Sequence, residues 1–135
     1  MKMREKKLIV VALVCLLLAC FSNLVYALNF ADLEGASIVA QDGQFLGIVS
    51  TDKYDSDSVN NRYGSYGSEY SSKSIFNRYS RYGSKYSSLS AFNSIASKPP
   101  MIYKDGKFIA YLTVNTIKTP RVDPYALIGW LKVNE

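Results

Sequence analysis

"YGSYGSEYSSKSIFNRYSRYGSKYSSLSAFN", residues 63–93, is dense in tyrosine, serine and glycine and poor in aliphatic bulk. Such a stretch is filler if it is aperiodic and architecture if it is periodic. It is periodic. Tyr54, Tyr70 and Tyr86 are spaced by 16 residues, as are Ser58, Ser74 and Ser90, and Asn61, Asn77 and Asn93. Two full copies and a partial third lie within residues 51–98. A flexible Ser/Gly linker needs no register, so a fixed period argues for an ordered fold. The asparagines are turn formers that can bond their own backbone. Gly67 and Gly83 are expected to supply positive φ. Val59, Ile75 and Ala91 offer one aliphatic contact per copy, and tyrosines can bury a ring while leaving the hydroxyl at the edge. Sixteen residues is short for a self-supporting solenoid turn, so the expectation is a loop-rich wrap folded against something else.

That something flanks the repeat. "SIVAQDGQFLGIVS" (residues 37–50) and "MIYKDGKFIAYLTVN" (residues 101–115) each place Asp-Gly between apolar runs, a strong β-hairpin signal. Strict alternation aims Phe108, Ala110 and Leu112 one way and Ile109 and Tyr111 the other. A strand apolar on both faces wants cover on both. One cover is a short helix over residues 123–132, with Asp123 as N-cap, Pro124 at the first helical position and Leu127, Ile128 and Leu131 at helical spacing. The other is the repeat. The expected fold is therefore mostly β (α+β): two Asp-Gly hairpins forming a small sheet, the repeat wrapped on one face and the helix on the other. Tyrosines that fill the sheet's second face and tyrosines that bind a ligand are compatible if Tyr66 and Tyr82 face out while Tyr54, Tyr70 and Tyr86 face in.

Residues 1–27 read as a leader. Lys2, Arg4, Lys6 and Lys7 precede an uncharged apolar run over residues 8–21, and Val25 and Ala27 stand at −3 and −1 of a cleavage site, the anatomy of a secretory signal peptide. Cleavage after Ala27 leaves one domain, residues 28–135. Two alternatives stay open: "LLAC" resembles a lipobox that would lipidate Cys20, and residues 8–28 are barely long enough to remain as an anchor. The leader's four basic residues and one acid hold +3 of the chain's +5, so the basic balance is no argument for nucleic acid as a partner. Both cysteines, Cys15 and Cys20, lie in the leader, so the domain has no disulfide framework.

The order D-G-x-F/Y-L-G, then Y-G-S-x-Y-S-S-x-S-x-x-N, then P-P-x-I and a second Asp-Gly hairpin is carried here by "DGQFLG", "YGSEYSSKSIFN", "YGSKYSSLSAFN", "KPPMI" and "DGKFIAYL". It resembles small secreted bacterial proteins of uncharacterised function, over residues 38–130. The resemblance implies a bacterial, secreted origin and carries no activity.

The chain has no histidine, which excludes Ser-His-Asp and Cys-His catalysis, and no phosphate loop or dinucleotide fingerprint. No cofactor is expected. Asp52, Asp55 and Asp57 are weak calcium candidates, since hard oxygen ligands cluster there, but no EF-hand spacing fits. A small envelope-acting hydrolase, or an inhibitor, using carboxylates is the alternative function. The favoured one is a non-enzymatic binding or structural module, periplasmic, envelope-bound or secreted. Tyr, Ser and Gly dominate natural binding loops because tyrosine supplies contact area at low entropy cost. The candidate ligand-binding residues are Tyr63, Tyr66, Tyr79 and Tyr82 with Arg78 and Arg81, facing an envelope polysaccharide or a protein partner. A monomer is expected. Self-association of the repeat is a third reading, opposed by charges at regular intervals.

Overall fold

The computed structural model describes residues 28–135 and, ahead of them, Lys7 alone. The signal peptide, its cleavage after Ala27, lipidation at Cys20 and a retained anchor all lie outside the described residues. Among the described residues no helix is long and apolar enough to cross a membrane.

Residues 28–135 build a small five-stranded mixed sheet and a short C-terminal helix, preceded by a 3-10 turn at Phe30–Leu33. The strands are β1 (Ser37–Val39), β2 (Phe45–Ile48), β3 (Met101–Lys104), β4 (Lys107–Leu112) and β5 (Arg121–Val122), in the order β2-β1-β3-β4-β5. Both Asp-Gly hairpins form as expected, and they join through antiparallel pairing of β1 with β3. β5 runs parallel to β4 and is not legible in the sequence, because two residues carry no periodicity.

The two Asp-Gly turns differ. Asp105 (φ 51°) and Gly106 (φ 75°) both adopt positive φ between the paired Lys104 and Lys107, a type I′ turn that matches strand twist. Of Asp42 and Gly43 in the first turn only Gly43 does (φ 92°), within a longer connection closed by the Ala40 amide on the Gln44 carbonyl at 2.8 Å. β4 also carries a bulge. Ile102 pairs with Ala110 but Tyr103 pairs with Phe108, which leaves Ile109 as the extra residue. The bulge breaks strict alternation, which would place Phe108 and Tyr111 on opposite faces. Instead Phe108 sits on the same face as Tyr111, with ring centroids 5.0 Å apart.

Residues 52–96 form a chain of consecutive tight turns. In each, an amide bonds the carbonyl three residues back: Asp55 to Asp52, Ser58 to Asp55, Asn61 to Ser58, Gly64 to Asn61. The next step is four, Ser68 to Gly64, and the pattern then restarts and ends in the second step of four, Ser84 to Ser80. Four steps of three and one of four make the 16-residue period. A turn that begins on serine, aspartate or asparagine is closed a second time by that side chain, which accepts the amide two residues on: Ser74 from Phe76, Asn77 from Tyr79, Ser90 from Phe92. The asparagines also donate six residues back, from Asn61 to the Asp55 carbonyl, Asn77 to Ser71 and Asn93 to Ser87, at 3.1, 3.1 and 2.9 Å. Asparagine is the residue for this place because its amide both accepts and donates. Gly67 and Gly83 do not adopt positive φ, contrary to expectation. They are needed because a Cβ would stand 2.0 Å from the Asn61 carbonyl oxygen and 2.2 Å from that of Asn77.

The turn chain is anchored at both ends. Val59 donates to the Ile48 carbonyl at 3.0 Å, extending the β2 edge, and Ala91 accepts from the Val114 amide at 2.9 Å. Val59, Ile75 and Ala91 are buried with Ile38, Leu46, Ile102, Ala110 and Leu112 in one core. The helix α1 (Pro124–Val133) starts where expected: Asp123 accepts from the Tyr125 amide at 2.8 Å, and Leu127 and Leu131 enter the same core. The expected division put the repeat on one face and the helix on the other. Tyr125 of the helix packs edge-on against Phe92 of the turn chain at 5.1 Å, so the two elements are neighbours. Val39, Met101, Tyr103 and Tyr111 are only half-buried, which leaves the second face of the sheet partly open.

Candidate functional site

A turn chain of this kind points side chains by slot. The second residue of each turn is exposed except at Val59, Ile75 and Ala91, where the third turn of each copy meets the core. The third residue carries the tyrosines. Tyr63, Tyr70, Tyr79 and Tyr86 come out 91–100% exposed, and Tyr54 is also exposed. Tyr66 and Tyr82 occupy the slot beside the step of four, and they turn inward. Tyr66 is half-buried with its ring 5.0 Å from Phe45, edge to face. Tyr82 is 7% exposed and donates its hydroxyl to Asp42 Oδ2 at 2.7 Å. The expected orientation is thus inverted, because burial is decided by which turn faces the sheet and the period alone does not encode that. Burial, then the hydrogen bond to Asp42 and the Asp42 charge, hold the Tyr82 phenol above its ordinary pKa; Arg81 acts weakly in the opposite direction.

The exposed tyrosines border clefts that repeat with the sequence. The first, about 410 Å³, is lined by Val59, Arg62, Tyr63, Gly67, Glu69, Tyr70 and Phe76. The second, about 750 Å³, is lined by Ile75, Arg78, Tyr79, Gly83, Lys85, Tyr86 and Phe92. Every residue of the second set stands 16 positions after its counterpart in the first. Phe76, Phe92 and Tyr125 line both, so the clefts adjoin. Phe76 and Phe92 lie 6.4 Å apart, tilted, and form the apolar wall between them. A third depression lies N-terminal to the first, lined by Lys53, Tyr54, Arg62, Tyr63 and Lys132 with Glu135.

Of the residues expected to bind, Tyr63, Tyr79 and Arg78 line these clefts. Tyr66 and Tyr82 do not, and Arg81 sits 3.9 Å from Asp42 beside a separate shallow depression shared with Tyr79 and Tyr82. Sequence reasoning missed Tyr70, Tyr86, Phe76 and Phe92 as cleft residues. Each has a partner 16 residues away, so the period held the signal for them. It held none for Tyr125, whose place depends on how the helix docks.

Two of the three acidic candidates, Asp52 and Asp55, are turn formers here. Asp52 Oδ1 accepts from the Tyr54 amide and Asp55 Oδ1 from the Asp57 amide, both at 2.9 Å. Among the described residues no group of three or more potential metal-ligating side chains comes together, so Asp52, Asp55 and Asp57 do not converge on a cation. None of the four clefts and depressions described has more than one carboxylate in its lining. Comparison of the chain with protein-family models, with curated proteins and with solved structures finds no match.

Proposed function

We propose that the chain is an exported, monomeric, non-enzymatic binding module that holds an envelope polysaccharide in the tyrosine-bordered clefts. The turn chain is a wrap with two jobs. Its inner slots close the sheet, and its outer slots present aromatic faces. The observation that carries this reading is the equivalence of the two clefts at a separation of 16 residues. A polymer of repeating units is the natural partner of a repeating surface, and avidity grows with each cleft it engages. Tyrosine rings suit sugars, whose axial C–H groups lie flat on an aromatic face while the hydroxyls reach serine and backbone groups. The usual glycosidase flanks the scissile bond with two carboxylates, and each cleft offers at most one. The role is therefore to hold a polymer, in the periplasm, at the envelope or outside the cell.

The test is a pull-down of the exported protein on insoluble envelope material and on a panel of polysaccharides. Tyr70→Ala/Tyr86→Ala is the test variant and Tyr103→Ala, on the other face of the sheet, the control. Binding that survives the control and fails in the double variant supports the reading. No binding by the unmodified protein would remove it, and the search would move to protein partners.

A further inference from the structure

The two clefts are lined by equivalent repeat residues and are unequal in charge. Position 69 in the first is glutamate, and its counterpart in the second, position 85, is lysine. The second cleft therefore has Arg78 and Lys85 in its lining and no acid. The first has Arg62 and Lys132 against Glu69. Among the described residues Arg62, Arg78 and Lys85 enter no ion pair. Exposed cations are commonly balanced by neighbouring carboxylates. Here they stand beside open aromatic rings, where a ligand's anion would meet both a charge and a stacking surface.

We infer that the ligand is a linear acidic polysaccharide, lying along the turn chain and filling the adjoining clefts in series, with a carboxylate of one sugar held by Arg78 and Lys85 in the second cleft. The inference rests on the binding reading above and narrows it to a ligand class. Rings on Tyr79 and Tyr86 take the apolar faces of a sugar. The cation pair takes its acid group. Glu69 keeps the first cleft from duplicating that preference, so the two clefts read a neutral and an acidic unit differently. A bare polyanion would satisfy the cations and leave the tyrosines unused.

The experiment is calorimetric titration of the exported protein at low and at physiological salt with polygalacturonate, with its short oligomers, with a neutral glucan of matched length, and with polyphosphate. The expected result is preference for polygalacturonate, affinity that rises from short to long oligomers, and weakening by added salt. Arg78→Ala/Lys85→Ala is expected to weaken polygalacturonate roughly tenfold or more and to leave the neutral glucan unchanged. Glu69→Lys is expected to strengthen it, with circular dichroism confirming that each variant is folded. Neutral glucan bound as tightly as polygalacturonate would overturn the acidic ligand and leave the polysaccharide reading standing. Polyphosphate bound equally well would overturn the sugar and reduce the site to charge. Equal affinity for short and long oligomers would overturn filling in series. Failure of every polymer, glucan included, would overturn the parent reading as well.

Discussion

The hydroxyl of Tyr82 donates to Asp42 Oδ2 at 2.7 Å across 40 residues of sequence, tying the second copy of the turn chain to the tip of the first hairpin. Asp42 is at the same time a turn residue, its other oxygen accepting the Gln44 amide at 3.1 Å. One carboxylate therefore stabilises a local turn and a long-range dock, and the ring it holds is part of the core.

Removing that hydroxyl has a pH signature. The Tyr82 phenol is held above its ordinary pKa in the folded chain, chiefly by burial. The folded state thus binds its proton more tightly than the unfolded state does. The contribution is fully present below the unfolded value of about 10 and is lost as pH rises through the folded value. Tyr82→Phe should cost about 1.5–3 kcal/mol at neutral pH, the range for a hydrogen bond to a charged group. It should also flatten the decline in stability above pH ~10. Urea unfolding at pH 7 and at alkaline pH checks both. A variant whose alkaline decline matches the parent's would remove Tyr82 as its source.

Two glycines should respond to alanine in opposite directions. At Gly83 a Cβ would meet backbone atoms of Asn77 and Ile75 at 2.2 and 2.6 Å, and these cannot yield without breaking the turns. Gly83→Ala should therefore lose about 2–3 kcal/mol through overpacking. At Gly129, inside the helix, a Cβ meets nothing within 4 Å. Gly129→Ala should gain about 0.5–1 kcal/mol from helix propensity. Thermal melts of the pair decide it, and a stable Gly83→Ala protein would contradict the packing described for the step of four.

Asn77 uses both ends of its amide, accepting from the Tyr79 amide and donating to the Ser71 carbonyl. Asn77→Asp keeps the first bond and turns the second into oxygen facing oxygen. It should destabilise by about 1–3 kcal/mol at neutral pH. Relative to the parent at the same pH, the deficit should shrink as pH falls below ~4, where a protonated carboxyl can donate again. Denaturant midpoints across that range, with limited proteolysis within residues 52–96, read the effect. A deficit independent of pH would assign it to something other than the lost donor.

The exposed rings should matter little to folding. Tyr70→Ser and Tyr86→Ser remove side chains that are 91% and 94% exposed and should shift stability by no more than about 0.5 kcal/mol. Tyr66→Ser, which strips a ring packed on Phe45, should cost about 1–3 kcal/mol. If Tyr70→Ser were as damaging as Tyr66→Ser, the outward slot assigned to Tyr70 would be wrong.

Local chemistry is enough to read both hairpins, the capped helix and the period of 16. Asp-Gly turns, an Asp123-Pro124 start and serines, aspartates and asparagines that close their own turns all act within a few residues of chain. The clefts are half legible in the same way, because the period by itself pairs Arg62 with Arg78 and Phe76 with Phe92. What tertiary structure alone decided is direction. Whether a tyrosine is floor or surface depends on which turn of the five meets the sheet, and that is set by the docking of Val59 on the Ile48 edge and of Ala91 on Val114. Likewise the bulge at Ile109 moved Phe108 beside Tyr111, and the helix came to rest beside Phe92. A repeat specifies that equivalent residues share a fate. Only the surface it packs against determines which fate that is, because burial comes from contacts between segments far apart in the chain.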